Sequence, residues 1–210
     1  MTRLQRLIRL SAVALTAVAL SGCISLFPKS KPAQLYQFAY TAPTEASDAT
    51  VSRSVGVLKL SSSFVKAAAG DRIMTVTGAS DVAYIAEARW ASPASVLFEE
   101  AVNGAFDREN SAVRLISRGE IGQSNHILKL DVTDFEVVYT SPKARPQVLV
   151  TVHATLTRSG DRTVAAERTF TERVQAGEDR QGAIVGAFNA ATSQVLSDLV
   201  AWTASSTADR

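Results

Sequence analysis

Cysteine is nearly missing from this chain: Cys23 is the single one in 210 residues. Without a second thiol there can be no intramolecular disulfide and no cysteine-built metal site. Histidine is almost as scarce. His126 and His153 each stand alone in a β-rich run, where a lone imidazole reads as an ordinary side chain rather than a ligand or base. No zinc-protease or phosphate-loop motif occurs, and Gly122-Gln123-Ser124-Asn125 departs from the nucleophile elbow at its last position. Asp131 and Asp134 lie on a strand, and Glu99-Glu100 on the expected wet side of a helix, so neither pair reads as an acid/base couple. The sequence therefore calls for no enzyme, no cofactor and no metal. Surplus charge is lacking too, with 22 basic residues against 20 acidic. Nucleic acid binding usually needs a basic face, and none is implied. Beyond residue 20 there is no apolar run long enough to span a bilayer.

What is present begins at the N-terminus. Arg3, Arg6 and Arg9 precede an apolar run from Leu10 to Leu20, the layout of a secretory signal peptide over residues 1–22. The run is short for a permanent span. Leu20-Ser21-Gly22-Cys23 resembles the bacterial lipobox, which implies that Cys23 becomes the first residue of the mature protein and carries acyl chains such as palmitate. Several acyl chains, at about 0.8 kcal/mol per buried methylene, anchor a protein firmly. Ile24 rather than Asp follows the cysteine, which by the same resemblance implies the outer membrane, facing the periplasm. Cleavage removes three arginines and no acid, leaving 19 basic residues against 20 acidic, so the mature chain is close to neutral.

Residues 23–34 hold Pro28 and Pro32 among lysines and serines and read as a lipidated tether. One domain is expected over residues 35–203, with a polar tail at 204–210. Tyr36, Phe38 and Tyr40 alternate on one strand face. Val55–Leu60 is a short buried strand, and residues 61–70 contain a turn of helix. Ile73–Thr77 and Val82–Trp90 flank Gly78-Ala79-Ser80-Asp81 as a hairpin, and period two places Val82, Tyr84, Ala86, Ala88 and Trp90 on one face. Ser92 is the expected N-cap of the first helix, with Pro93 at its first position. Ala94, Leu97, Phe98, Ala101, Val102, Ala105 and Phe106 form its apolar stripe.

Residues 111–118 read as a strand. His126–Tyr139 is a long strand whose apolar parity changes before Phe135, predicting a bulge. The run Val148–Leu156 alternates, turns at Ser159-Gly160-Asp161 and returns as Val164–Val174. A last helix spans about residues 179–202 on Ile184, Phe188, Ala191, Val195, Leu199 and Trp202. The fold class is α+β: a single domain with a mixed, mostly antiparallel sheet and two amphipathic helices packed on it.

The lipobox, then Gln34-Leu35-Tyr36-Gln37-Phe38, then Tyr84 and Arg89-Trp90-Ala91-Ser92-Pro93 leading into a helix, resemble the ABC-type transport auxiliary lipoproteins of the PqiC type. The resemblance covers roughly residues 34–200. It implies a periplasmic lipoprotein without enzymatic activity whose partners are a membrane, through its lipid, and an MCE-domain protein with an ABC permease and ATPase. The cargo it implies is phospholipid or another hydrophobic molecule. Homo-oligomers are compatible with a ring-forming partner. Of Tyr84 and Trp90, packing under the helix at Pro93 is the stronger expectation and a docking role the weaker. A lipid carrier with a tunnel lined by Phe98 and Phe106, an envelope hydrolase using His126 or His153, and an outer-membrane assembly lipoprotein are the alternatives.

Overall fold

A computed structural model describes residues 32–42, 55–109, 111–116, 124–141 and 144–208. The signal segment, Cys23 and most of the tether lie outside the described residues. In chain order the elements are β1 (Gln34–Tyr36), β2 (Val55–Lys59), β3 (Ser63–Phe64), β4 (Arg72–Thr77), β5 (Asp81–Trp90), α1 (Ala94–Arg108), β6 (Val113–Ile116), β7 (His126–Tyr139), β8 (Gln147–Arg158), β9 (Val164–Gln175) and α2 (Gln181–Ala208).

β7 is the axis of the sheet. One of its edges takes β8 in a long antiparallel ladder, and β9 continues that ladder outward. The other edge is shared end to end by three short parallel partners: β2 against 126–128, β3 against 131–132 and β4 against 137–139. β6 lies outside β2, while β5 and then β1 lie outside β4. A strand this long needs its parity corrected, because twist and a one-residue slip would turn its apolar side to water. The correction is the register shift between Val132 and Asp134. It leaves Leu128, Leu130, Val132, Phe135 and Val137 all buried, as the sequence predicted.

Both helices cover the face that Phe135 occupies. Its ring lies 4.8 Å from Phe188 of α2, 5.0 Å from Phe38 and 5.3 Å from Phe64. Phe64 in turn meets Phe98 of α1 edge-on at 5.8 Å. Trp90 stands nearly perpendicular to Phe38 and Phe188, at 5.0 and 5.2 Å. Such edge-to-face pairs contribute about 0.5–1.5 kcal/mol each beyond the area they bury. The α1 stripe is buried residue for residue as its spacing requires.

Four expectations need correction. Tyr84 and Trp90 do not share a face. The β4–β5 ladder runs Met74↔Tyr84 and then Arg72↔Arg89, so residues 85–88 stand opposite Ile73 alone. Glu87, at φ 56°, takes the left-handed turn of that bulge. Tyr84 therefore lies under the Arg72 guanidinium, 3.8 Å from its ring centre, while Trp90 points into the core, 5.2 Å from Phe188 of α2. The hairpin turn itself follows expectation, with Gly78 at φ 64°.

Second, Ser92 does not cap α1. Pro93 occupies the N-cap and offers no side-chain acceptor. The segment ending at Gly70 supplies acceptors instead: Ala94 N–H donates to Gly70 O at 2.9 Å and Ser95 N–H to Ala69 O at 3.2 Å. Third, α2 runs to Ala208, through the expected polar tail. Thr203 and Thr207 are buried there, and their hydroxyls donate back to Leu199 O and Thr203 O at 2.7 and 2.9 Å. Fourth, Glu99 is not on a wet face. It accepts from Lys59 Nζ and, at 2.8 Å, from Ser62 N–H. Burial works to raise its carboxyl pKa, but the hydrogen bonds from Lys59 and Ser62 win and hold it below the ordinary range.

Candidate functional site

The residues singled out for chemistry are not brought together. His126 and His153 sit five ladder rows apart and on opposite faces of the sheet. His126 is held toward its neutral form by burial and by Arg158 opposite it, and its Nδ1 has no partner among the described residues. His153 places Nδ1 3.1 Å from Thr169 Oγ1, opposite Asp131. Asp131 is held below the usual carboxylate range by Lys129 Nζ at 2.8 Å and Ser63 Oγ at 2.5 Å. Among the described residues no group of three or more His, Cys, Asp and Glu could hold a metal ion, and no helix is long and apolar enough to cross a membrane. Ser124 lies 3.4 Å from Ser159 and donates to its own neighbour's backbone, not to a base.

The structure instead builds a site where the chain enters the domain. Only Gln34–Tyr36 are in the sheet, paired parallel with Ala88–Trp90 just past the Glu87 bulge. Residues 37–41 leave the sheet as an extended strap and lie along α2. Phe38 and Tyr40 point inward and are each 2% exposed, keeping the alternation that the sequence predicted. Between them the backbone needs partners. Ala39 N–H donates to Asn189 Oδ1 at 3.2 Å, and Thr41 N–H to Ser193 Oγ at 3.0 Å.

The spacing explains the fit. Two extended residues advance about 6.8 Å and four helical residues about 6.0 Å, so every second strap amide meets the next turn of helix. Asn189, Ser193 and Ser197 are a polar row at i, i+4 and i+8 on a largely apolar helix. That row is the track for the strap. Ser197 Oγ closes it by donating to Glu109 Oε1 at 3.0 Å, and the Tyr40 hydroxyl donates to the same oxygen. Arg108 Nη1 donates to Tyr40 O at 2.8 Å. Burial first, and the Glu109 carboxylate second, push the Tyr40 phenol well above its ordinary pKa.

At the outer end of the strap the polar contacts continue. The Tyr36 hydroxyl lies 2.6 Å from Gln34 Oε1, to which it donates, and 3.1 Å from Gln181 Oε1. Gln181 Nε2 donates to Ala86 O at 3.0 Å, satisfying a carbonyl that the β5 bulge frees from the ladder. Gln34, Tyr36 and residues 179–182 line an open cleft of about 420 Å³. Tyr139 donates to Asp179 Oδ1 at 2.7 Å, and its phenol is likewise raised by burial and then by that carboxylate. This lining is polar and offers no nucleophile paired with a base. What the arrangement does is mechanical: it fixes residues 34–41 against β5 and α2 at the point where the chain enters the domain. The polar row on α2 was the signal in the sequence that locates it.

Residues 36–200 match the family model described as the ABC-type transport auxiliary lipoprotein component, a span that starts within β1 and ends in α2. Among solved structures, protein XCC0632 from Xanthomonas campestris, of family DUF330, is 25% identical with a TM-score of 0.72, over 84% of this chain and 97% of that one. An uncharacterized protein matches at 14% identity and TM-score 0.64, over 82% and 99%. The hypothetical protein CT253 from Chlamydia trachomatis shares the fold at 7% identity and TM-score 0.51, over 74% and 99%. No curated protein gives a significant match.

Proposed function

The chain belongs to the ABC-type transport auxiliary lipoprotein family, and from that premise we propose that it is a lipid-anchored accessory component of an MCE-type ABC transport system. In this reading, acyl chains on Cys23 hold it to the periplasmic face of the outer membrane. The domain docks on the periplasmic MCE component of a transporter completed by a permease and an ATPase. The cargo is phospholipid or another hydrophobic molecule passing between the envelope membranes. Anchoring raises the effective concentration of the domain at its partner. Several copies can serve one transporter.

The observation that carries the docking reading is the strap. A domain that only had to float would not need its first residues tied to α2 by buried aromatics and a charge-assisted hydrogen bond. A docking protein on a lipid leash does, because the leash would otherwise pull on a frayed edge. Two observations favour docking over carriage. Phe98 and Phe106, the residues a cargo tunnel would use, are 0% and 1% exposed and fully packed. The cleft at the strap is lined by polar side chains. No catalytic step is assigned to the chain.

A crosslinked pull-down of tagged full-length protein from membranes, read by mass spectrometry, tests this. Recovery of an MCE-domain protein with its permease and ATPase is the expected result. Recovery of outer-membrane assembly proteins, or of bound lipid with no protein partner, would overturn docking.

A further inference from the structure

The open cleft where the chain enters the domain is short of side-chain hydrogen-bond donors. Tyr36 Oη stands 2.6 Å from Gln34 Oε1 and 3.1 Å from Gln181 Oε1. A phenol carries one proton, so only one of those two oxygens can receive it. The Gln181 amide is not free to turn over and supply another, because its Nε2 already donates to Ala86 O at 3.0 Å. Turning over the Gln34 amide moves the shortage without removing it. The Gln34 nitrogen would then donate to Tyr36, the phenol to Gln181, and Gln34 Oε1 would lose its donor. In either arrangement one amide oxygen at this corner has no side-chain donor among the described residues.

The charges at the cleft lean the same way. Asp179 lines it, and its Oδ1 takes the Tyr139 proton. Among the described residues the other carboxylate oxygen of Asp179 has no hydrogen-bond partner. Arg180, the cation of the lining, turns its Nε toward Glu178 Oε2 at 3.3 Å. Glu178 and Asp179 precede α2 and offset the positive end of its dipole. Gly182 adds no side chain to the wall. The site therefore offers acceptor oxygens and one carboxylate, and it lacks a donor and a positive charge.

We propose that this cleft binds a primary ammonium group, carried by a small amine or by the ethanolamine headgroup of a lipid. A primary ammonium brings both missing features, three donors and a positive charge, and its hydrogen bonds to carboxylate and amide oxygens are of the stronger, charge-assisted kind. A quaternary ammonium brings the charge without the donors. The volume of about 420 Å³ falls within the range of about 300–1,000 Å³ usual for small-ligand sites. A polar lining admits a headgroup and leaves acyl chains outside. The inference does not depend on the transport reading.

Two amines of equal charge test it. Ethanolamine is titrated into the full-length chain in a maltoside detergent, and the side-chain amide NMR signals of Gln34 and Gln181 are followed. Both should shift, with a dissociation constant in the millimolar range. Choline, which has no N–H donor, should bind about 10-fold more weakly or less. Gln34 and Asp179 are exposed, and Gln34→Ala and Asp179→Asn should each weaken ethanolamine binding about 5- to 10-fold. Phosphoethanolamine that binds at least as tightly as ethanolamine assigns the ammonium to a lipid headgroup, and weaker binding assigns it to a free amine. Equal responses to ethanolamine and choline, no shift at either glutamine, or variants that bind like the parent would each overturn the proposal. The comparison of the two amines uses the unaltered chain, so a misfolded variant cannot imitate the result.

Discussion

Removing the Tyr40 hydroxyl should loosen the strap by a calculable amount. Tyr40→Phe keeps the buried ring, so what is lost is the hydroxyl, with its bond to Glu109 and its contact with Ser197. Hydrogen bonds to charged groups contribute about 1.5–3 kcal/mol. Glu109 keeps its bond from Ser197, so the low end applies and the expected loss is about 1.5 kcal/mol. Tyr40→Ala removes the 2%-exposed ring as well, adding about 3–5 kcal/mol by analogy with other aromatic truncations. Denaturant unfolding of the two variants separates these terms. The sharper readout is a double-mutant cycle with Glu109→Gln, where a coupling of about 1 kcal/mol is expected for groups in contact. Amide exchange should speed up at Ala39 and Thr41, which donate to Asn189 and Ser193, before it does in β7. A Tyr40→Phe variant within about 0.3 kcal/mol of the parent, with no coupling to Glu109, would refute the account of the strap, since that is the scatter of independent sites.

Tyr40 and Tyr139 both have phenols raised in the folded state. Their contribution is complete below the unfolded phenol pKa of about 10 and is lost as pH climbs toward the folded values. Stability should therefore fall from about pH 10 upward, less so in Tyr40→Phe, as followed by chemical denaturation across that range. Lys59→Met leaves the Glu99 carboxylate half-buried without its cation and should cost about 1–3 kcal/mol, a buried-pair penalty reduced for partial exposure. Adding Glu99→Gln should recover part of that loss. Because the Glu99 pKa is lowered, its contribution is present above the unfolded carboxylate pKa of about 4.3 and fades as pH falls through the folded one. That acid limb should flatten in Lys59→Met. Trp90→Ala should cost about 3–5 kcal/mol in the thermal melt, and Tyr84→Ala much less. Equal costs would contradict the opposite-face placement.

The legibility of this fold follows the range of the forces involved. The α1 stripe and the reset of β7 before Phe135 were readable because burial has a period and a period survives in one dimension. The bulge at Glu87 was not, since glutamate carries no turn signal and the left-handed residue is fixed by β1, β4 and Gln181 around it. Ser92 satisfied every local rule for an N-cap, but carbonyls of Ala69 and Gly70, more than twenty residues back, did that work. Thr207 read as part of a polar tail because composition does not reveal that a threonine can bury its hydroxyl by donating to its own helix. The strap was half legible. Tyr36, Phe38 and Tyr40 announced an alternating segment, but Asn189, Ser193 and Ser197 took on meaning only once that segment lay across them. Lys59 and Glu99, forty residues apart, show the same limit for charge.

The central claim is that this domain hangs from a lipid on Cys23. Intact-mass and N-terminal analysis of full-length protein purified from bacterial membranes tests it most directly. The account predicts a chain that begins at Cys23 and carries the mass of its acyl chains. A Cys23 bearing a free thiol, or a chain still holding residues 1–22, would contradict it.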